Sequence, residues 1–344
     1  MTQLYALGLG IGTQNSKGEW LEVFYAQPLL KPSENSAGAI ASILGYTDGN
    51  QAIAITNAQA SAIAEALTAA GDTTTQAELA KALSASKRPL VATLLATDTN
   101  PASVPEAYLK LHLLSHRLVK PHGTVLAGIF GVLPNVAWTN QGAIDVAELP
   151  ARQLQARLNS EELEVSCVDK FPKMTNYVVP KGVRVAHTAR VRLGAYLGEG
   201  TTIMHEGFVN FNAGTEGPAM IEGRISAGVF VGAGSDLGGG SSTMGTLSGG
   251  GNIVISVGKE SLIGANAGIG IPLGDRCKVE SGLYVTAGTK VVVLDDEGKE
   301  VKTLKARELA GVSDLVFRRN SITGRVEVVT NKSALQLNTA LHIN

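Results

Sequence analysis

The stretch that decides the fold is "EGRISAGVFVGAGSDLGGGSS", which runs from residue 222 to residue 242. It is rich in glycine, yet Ile225, Val231 and Leu237 recur among the small residues at intervals of six. Flexible glycine-serine linkers do not carry regularly spaced branched side chains. A period of six fits neither the 3.6-residue turn of an α-helix nor the two-residue alternation of a strand. The stretch therefore predicts a repeat in which every sixth side chain enters a core.

The same period extends over most of residues 183–293. Its aliphatic positions form four runs: Val185, Val191, Leu197, Ile203 and Val209, then Ile225, Val231 and Leu237, then Val257, Ile263 and Ile269, and finally Val279, Val285 and Val291. Such a repeat indicates a parallel β-helix of about six coils, with one aliphatic side chain on each of three faces. Glycine follows several of these aliphatics directly, which predicts corners and close packing. Breaks near 210–224, 243–256 and 270–278 are interpreted as loops that leave the coils.

The sequence on either side of the repeat has a different character. Residues 1–125 predict a mixed α/β domain with three helices. The helix at 56–71 ends at the capping residue Gly71, the helix at 73–86 carries the capping-box pair Thr75 and Glu78, and the helix at 103–119 begins with Ser103 and Pro105. The runs "LEVFYA" and "LVATLLA" read as strands between them. Residues 126–182 form a connecting region, and residues 294–344 form a short C-terminal extension. The predicted fold is an α/β N-terminal domain followed by an all-β parallel β-helix.

Composition excludes several classes of protein. The 29 basic and 30 acidic residues give a net charge of -1, which argues against general nucleic-acid binding. The N-terminal sequence does not resemble a signal peptide, and no apolar run is long enough to span a membrane. Cys167 and Cys277 are too few for a disulfide framework and are interpreted as buried free thiols. A cytoplasmic protein is expected.

Long strings in the chain resemble one family within the hexapeptide-repeat acyltransferases. "MHEGFVNFNAGTEGPAMIEGRISAGVFVGAGSDLGGGSS", "LSGGGN", "LIGANAGIGIPLGD", "GLYVTAGTKV" and "YLKLHLLSHR" are similar to tetrahydrodipicolinate N-succinyltransferases of the actinobacterial and pseudomonad type. The resemblance implies a left-handed β-helix and a homotrimer with active sites between neighbouring β-helices. It also implies transfer of succinyl from succinyl-CoA to the amine of L-2-amino-6-oxopimelate, in the diaminopimelate route to lysine.

The resemblance assigns roles to residues along the repeat. Glu222, at the family's "EGRIS" position, is implied as the reactive carboxylate, acting either as a nucleophile that forms an acyl anhydride or as a general base. The residues implied for the coenzyme A arm are Arg224, Gly239, Ser242, Ala265, Glu280, Ser281 and Gly288. Those implied for its nucleotide end are Lys305, Arg318, Arg319, Asn320 and Ser321, because Arg binds phosphate through paired hydrogen bonds.

Other polar residues invite a metal interpretation. Glu206 matches a position that binds magnesium near the trimer axis in relatives, but the family's second carboxylate is replaced by Ala189. A ring of three Glu206 carboxylates could still suit Mg²⁺. The adjacent His205 is interpreted as a hydrogen-bonded residue at a subunit interface. His112 and His116, four apart on a predicted helix, are interpreted as a pair on one helix face.

Three other functions were weighed against succinyl transfer. A related hexapeptide acetyltransferase acting on an amino acid or sugar amine is the closest alternative. A carbonic anhydrase of the same fold needs three zinc-binding histidines, and only His187 and His205 lie in the repeat. A scaffold that merely trimerises leaves the Glu222 motif and the basic run at 318–321 unexplained.

Overall fold

The computed structural model describes residues 3–71, 75–245 and 253–330. The chain divides into two compact units. Unit 1 comprises Met1–Val119, Gly123–Pro172 and Asn176–Val178, and unit 2 comprises Lys120–His122, Lys173–Thr175 and Val179–Asn344. Among the described residues, no helix has the length and apolar character needed to cross a membrane. The cytoplasmic location stays a prediction.

Unit 1 contains two antiparallel sheets and all the α-helices of the described chain. Its strands are β1 (Ala6–Gln14), β2 (Trp20–Phe24), β3 (Leu29–Leu30), β4 (Gln51–Ile55), β5 (Leu90–Leu95), β6 (Val136–Thr139), β7 (Gly142–Asp145) and β8 (Val165–Asp169). Its helices are α1 (Glu34–Leu44), α2 (Asn57–Ala69), α3 (Thr75–Leu83), α4 (Val104–Ser115), α5 (Ile129–Val132) and α6 (Leu149–Leu158). The larger sheet has the order β2-β1-β5-β4, with β3 beside β1, and the smaller has the order β7-β6-β8.

The three predicted helices of this unit are present with shorter bounds. Thr56 caps α2 through a reciprocal capping box with Gln59, which satisfies free backbone donors of the first turn. The helix predicted over 103–119 is α4. Every residue from Pro105 to Ser115 is buried, because α4 is enclosed by its neighbours in unit 1. A helix that is surrounded on all sides loses the amphipathic pattern of a surface helix.

Unit 2 is built from short parallel strands that the chain visits in rotation. They are β9 (Arg184–Val185), β10 (Ala195–Leu197), β11 (Thr201–Ile203), β12 (Phe208–Val209), β13 (Ala213–Thr215), β14 (Ala219–Ile221), β15 (Arg224–Ile225), β16 (Phe230–Val231), β17 (Ser235–Leu237), β18 (Ser242–Thr243), β19 (Ser256–Val257), β20 (Leu262–Ile263), β21 (Gly268–Ile269), β22 (Lys278–Val279) and β23 (Tyr284–Val285). Sheet 1 has the order β22-β20-β17-β14-β11-β9, sheet 2 the order β12-β15-β18-β21-β23, and sheet 3 the order β10-β13-β16-β19. The parallel coil predicted from the six-residue period is therefore present.

The aliphatic positions of the period form the core of these coils. Thirteen of the fourteen predicted side chains are buried, and only Val185, on the first strand, is half-buried. The pairing register stacks them directly on one another, for example Leu237 on Ile263 and Ile263 on Val279. Stacking of identical positions at the strand spacing explains why small branched side chains suffice for a continuous core.

Two of the three predicted breaks are not loops, and this prediction was wrong for them. Thr215 and Ile221 continue the stack through residues 210–224, where the Thr215 hydroxyl is buried and bonds that of Thr201 at 2.7 Å. Leu273 fills the matching position within 270–278, donating its N–H to Ser256 at 2.9 Å. At these two breaks the six-residue period is interrupted because one corner of the coil, Ile221 to Ile225 in the first and Ile269 to Leu273 in the second, is two residues shorter than usual. The third break, at 243–256, lies partly outside the described residues.

The glycines of the repeat have two distinct roles. A backbone with positive φ occurs three residues before many core positions, as at Gly234, which precedes Leu237 and has φ of 75°. The glycine directly after a core residue serves close packing instead. A Cβ on Gly264 would lie 2.5 Å from the backbone nitrogen of Ser281 in the next coil, so only glycine fits there.

The C-terminal extension completes one sheet rather than standing apart. Its strands are β24 (Lys290–Leu294), β25 (Glu300–Lys305), β26 (Leu315–Arg319) and β27 (Val326–Thr330). β26 pairs in parallel with β22, so that Phe317 continues the stack above Val279. β26 and β27 form an antiparallel hairpin. The fully buried Phe317 closes this end of the core.

Candidate active site

The reactive carboxylate predicted from the motif lies at an irregular corner. Glu222 directly follows the core residue Ile221. The next core residue, Ile225, comes four positions after Ile221, whereas the usual interval is six. The backbone N–H of Glu222 donates to Leu237 at 2.8 Å, which fixes the start of the corner. Its side chain is half-exposed. The Oε2 atom lies 3.4 Å from the position that a Cβ on Gly239 would occupy, so the carboxylate rests over bare backbone.

Six of the twelve predicted coenzyme A residues lie in one column with Glu222. The column is the row of residues one or two positions after the stacked core residues of sheet 1, namely Glu222, Gly239, Ala265, Glu280, Ser281, Arg318 and Arg319. Backbone hydrogen bonds of 2.8–2.9 Å connect successive levels, from Glu222 to Leu237 and onward to Phe317. Four strand spacings span about 19 Å between Glu222 and Arg319. All seven residues are half-exposed or exposed.

Sheet 2 brings two further predicted residues next to the start of the column. Arg224 and Ser242 are directly paired neighbours on β15 and β18. The guanidinium of Arg224 donates to the Ser242 hydroxyl from Nε at 3.3 Å and from Nη2 at 2.8 Å. Ser242 is buried while Arg224 is exposed. This pair holds a positive charge in a fixed position beside the corner that carries Glu222.

The hairpin of β26 and β27 forms the basic end of the column. Arg318 Nε donates to Glu327 at 3.2 Å, and Asn320 Nδ2 donates to the other oxygen of Glu327 at 2.8 Å. The backbone N–H of Arg319 donates to Glu280 Oε2 at 2.5 Å. Glu280 therefore supports the hairpin. Around this end lies a cavity of about 200 Å³ lined by Glu280, Ser281, Gly282, Leu283, Arg319 and Ser321.

Gly288 and Lys305 lie away from the column. Gly288 comes three residues after the core residue Val285 and so lies at the edge of sheet 2 that is farther from the column. A Cβ on Gly288 would have open space around it. Lys305 is paired with Lys290 on the outer strand β25 and is exposed. The structure therefore joins ten of the twelve predicted binding positions to the column or its two ends, and leaves Gly288 and Lys305 away from it.

The predicted metal residue has a different surrounding. Glu206 is 73% exposed, and its Oε2 lies 3.8 Å from Arg190 Nη2, which also donates to the Glu206 carbonyl at 2.6 Å. His187 and His205 meet edge to face nearby, with ring centroids 5.1 Å apart. The described residues contain no group of three His, Cys, Asp or Glu side chains that could hold a metal ion. The described side chains of a single chain therefore do not form a magnesium site, and Mg²⁺ bound by Glu206 at a trimer axis stays a prediction.

The histidine pair of α4 is packed inside unit 1. His112 Nε2 accepts the Tyr25 N–H at 3.2 Å, so its Nδ1 carries the proton that is donated to the Tyr108 carbonyl at 2.7 Å. The His116 ring stacks on it with centroids 5.9 Å apart. Burial lowers the pKa of His112 to about 3 and also lowers the pKa of His116. Both rings are neutral at physiological pH.

The two cysteines were both predicted to be buried, and one of them is not. Cys277 is buried, and burial raises the pKa of its thiol. Cys167 is only half-buried, because it lies on β8 at the edge of the smaller sheet of unit 1.

Sequence reasoning missed residues that support the site. Glu327 anchors both Arg318 and Asn320, and its side chain is only 9% exposed. An acidic residue in the alternating string "RVEVVT" was the available signal, since a carboxylate on a buried strand face needs a cationic partner. Ser241 was also missed. Its buried hydroxyl packs under Gly223, next to Glu222, and has no hydrogen-bond partner in the described part of the chain.

The chain is similar to known proteins over nearly its full length. Two family models match the chain: "Tetrahydrodipicolinate N-succinyltransferase middle" over residues 133–173 and "Hexapeptide repeat of succinyl-transferase" over residues 254–287. A Pseudomonas putida protein named 2,3,4,5-tetrahydropyridine-2,6-dicarboxylate N-succinyltransferase is 70% identical over 339 residues, which are 98% of each chain. A Vibrio cholerae protein of the same name is 61% identical over 99% of each chain.

A solved structure extends the likeness to the fold. A Campylobacter jejuni protein described as a candidate 2,3,4,5-tetrahydropyridine-2-carboxylate N-succinyltransferase superimposes with a TM-score of 0.90 at 33% identity. The match covers 97% of this chain and 94% of the other. With such identities over nearly the full length of its relatives, this chain belongs to the tetrahydrodipicolinate N-succinyltransferase family.

Proposed function

We propose that this enzyme transfers succinyl from succinyl-CoA to the amino group of L-2-amino-6-oxopimelate, the open-chain form of tetrahydrodipicolinate. The reaction belongs to the diaminopimelate route of lysine biosynthesis. Relatives at 61–70% identity carry the name of this activity. The observation that carries the proposal for the site is the column, which connects a half-exposed carboxylate at Glu222 with paired arginines about 19 Å away.

The shape of the column suits an acyl-CoA. Coenzyme A has its reactive thioester at one end of a long arm and its phosphates at the other. The arm would lie along Gly239, Ala265 and Ser281, where small side chains leave the backbone accessible. The phosphates would meet Arg319, Asn320 and Ser321, with Arg318 held beside them by Glu327. Charge-assisted hydrogen bonds from guanidinium groups are the usual means of holding phosphate.

The chemistry centres on Glu222. In one route its carboxylate attacks the thioester carbonyl, the carbon–sulfur bond breaks, and coenzyme A leaves as a thiol once it takes up a proton. The resulting anhydride is then opened by the substrate amine to give the amide. In the other route Glu222 removes a proton from the amine as the amine attacks the thioester directly, and the carbon–sulfur bond breaks so that coenzyme A leaves as a thiol after taking up a proton. Arg224, held by Ser242 two residues after Glu222 in the chain, would attract the anionic groups of the substrates.

The assembly and the hand of the coil belong to the same proposal. We infer a left-handed coil, as in the family, and a homotrimer. The column is an open row of exposed residues along one edge of sheet 1, so a ligand lying on it needs a second wall to exclude water. A neighbouring β-helix would supply that wall. Sedimentation that finds an active monomer at assay concentration would refute the trimer.

A thiol-release assay tests the function. The wild-type enzyme is mixed with tetrahydrodipicolinate and either succinyl-CoA or acetyl-CoA, and free thiol is followed with a chromogenic disulfide. Succinyl-CoA should give turnover that depends on the acceptor, and acetyl-CoA should give much less. Faster turnover with acetyl-CoA would favour the alternative, a hexapeptide acetyltransferase acting on an amino acid or sugar amine. Thiol release at background level with both donors would refute acyl transfer.

A further inference from the structure

An exposed aromatic ring, Tyr284, lies on the outer face of sheet 2, three residues after Ser281 of the proposed donor site. The outward-facing residues of that sheet, from β12 to β23, are Phe208, Arg224, Ser242, Gly268 and Tyr284. Tyr284 is 50% exposed, while its neighbour Val285 is fully buried in the core. None of the roles described so far involves Tyr284.

The Tyr284 ring is laid flat toward the middle of the sheet. A Cβ on Gly268 would overlap the ring, and even its more distant Cζ would be 2.8 Å away. The ring can take this position only because residue 268 has no side chain. The ring therefore covers Gly268, which is paired with Ser242 on the neighbouring strand. The Ser242 hydroxyl accepts a hydrogen bond from the guanidinium of Arg224. About half of Tyr284 stays exposed to solvent.

Tyr284 shares the outer face of sheet 2 with two predicted donor contacts, Arg224 and Ser242. Ser281, on the path proposed for the arm, lies at the edge of sheet 2 just before the strand β23, Tyr284–Val285. Since Val285 is buried in the core, Tyr284 supplies the outward side chain of that strand. A ligand on the column at Ser281 therefore has the Tyr284 ring on its sheet 2 side.

We propose that Tyr284 is a binding residue for the pantetheine arm of the acyl-CoA donor, which rests on the proposed function. The exposed ring face offers apolar contact to the methylene and dimethyl groups of the arm, and the phenol hydroxyl offers a hydrogen bond to its amides. A tyrosine costs little conformational entropy when it binds, because only two torsions are fixed. Gly268 has a supporting part, since it permits the flat orientation of the ring.

The test compares Tyr284→Ala, Tyr284→Phe and Gly268→Ala with the wild type. Kd for coenzyme A is measured by calorimetry, and KM is measured for succinyl-CoA and for tetrahydrodipicolinate. Tyr284→Ala should raise Kd for coenzyme A and KM for succinyl-CoA about fivefold to thirtyfold, the range for loss of an aromatic contact. KM for the acceptor should change less than twofold. Tyr284→Phe should retain most of the affinity, and Gly268→Ala should lose part of it by lifting the ring.

The control is Tyr196→Ala on sheet 3, which removes a tyrosine that contacts Phe230 with centroids 5.7 Å apart. It should leave the affinity for coenzyme A unchanged. If Tyr284→Ala does not fold, Tyr284→Leu gives the same comparison, with an intermediate loss expected. Normal affinity for coenzyme A in a folded Tyr284→Ala or Tyr284→Leu enzyme, with an active wild type, would overturn the role of Tyr284. Failure of the proposed function would show instead as an inactive wild type.

Discussion

The carboxylate of Glu222 lies over Gly239 in the next coil, with Oε2 3.4 Å from the position of a Cβ on that glycine. No side chain at residue 239 therefore comes between Glu222 and a ligand that follows the column. The corner that carries Glu222 is two residues shorter than the period, which draws the carboxylate close to the coil. This relationship places a charged group at one end of a row of small residues.

Glu222→Gln should fold normally and lose most of its turnover. Glutamine keeps the size of the side chain but neither accepts a proton effectively nor attacks a thioester. Loss of a general base is expected to lower kcat by about 10²–10⁴-fold, and loss of a nucleophile by more. The measurement is acceptor-dependent thiol release at saturating succinyl-CoA. Near-normal turnover in Glu222→Gln would remove Glu222 from the chemistry under either route.

Rapid mixing of the wild type with succinyl-CoA alone distinguishes the two routes. A nucleophilic Glu222 should release one equivalent of thiol per active site before any acceptor is added, and the burst should be absent in Glu222→Gln. A general base should release no thiol until the acceptor arrives. A thiol burst of equal size in Glu222→Gln would rule out the anhydride on Glu222.

Arg319→Ala should weaken succinyl-CoA binding without lowering stability. The Arg319 side chain is exposed and donates within the structure only to the Gly324 carbonyl, at 3.3 Å, among its described contacts. Loss of a charge-assisted hydrogen bond to phosphate is worth about 1.5–3 kcal/mol, or roughly tenfold to a hundredfold in Kd. Calorimetric titration with coenzyme A measures this, and desulfo or dephospho analogues identify the group that is bound.

Arg318→Ala provides the contrast, because Arg318 is paired with the nearly buried Glu327. Its removal should weaken coenzyme A binding and also lower the melting temperature, since the Glu327 carboxylate then keeps only the Asn320 amide as a side-chain partner among the described residues. Unchanged coenzyme A affinity in the double variant of Arg318 and Arg319 would move the nucleotide site elsewhere.

Gly223→Ala should damage the corner beside Glu222. Its new Cβ would overlap the Ser241 hydroxyl and lie 2.8 Å from the Ser241 carbonyl oxygen. Overpacking of this kind costs about 1–3 kcal/mol of unfolding free energy. Ser241→Ala alone should be close to neutral in stability, because the hydroxyl it removes is buried without a described partner. Chemical denaturation of both single variants and the double variant should show partial rescue, whereas strict additivity would contradict the proposed overlap.

Acid should destabilise unit 1 through the histidines of α4. The pKa of His112 is lowered to about 3 in the folded protein, chiefly by burial, so the folded state holds this ring neutral. The stabilisation is present above the unfolded pKa of about 6.5 and is lost as the pH falls from there toward 3. His112 alone should cost about 2–3 kcal/mol of unfolding free energy between pH 6.5 and 4.5.

Urea denaturation across this pH range checks the effect, with His205→Gln as the control because His205 is exposed. His112→Gln should flatten the pH dependence, since glutamine can accept from Tyr25 and donate to Tyr108 without titrating. An equally steep dependence in His112→Gln would assign the acid sensitivity to other groups.

The spacing of residues in the sequence predicted some features of the fold correctly and others wrongly. The six-residue period identified thirteen buried core positions, because each is defined by its own side chain and its immediate neighbours. The apparent breaks at 210–224 and 270–278 were read as loops because Thr215 is polar and two corners are short. The Thr215 hydroxyl is tolerated in the core only through its bond to Thr201, fourteen residues away, and such a partner has no signature in sequence spacing.

The sequence by itself determined the parallel coil, the glycines that let coils approach, and the Glu222 motif, since all three are repeated or contiguous in the chain. The tertiary structure decided that Glu222, Gly239, Ala265, Ser281 and Arg319 form one column, because that depends on the register of four strand pairs. It also decided that Glu280 and Glu327 support the arginine hairpin, and that the Tyr284 ring lies on Gly268. Contacts between distant segments are set by how coils stack, and no local pattern specifies the distance between them.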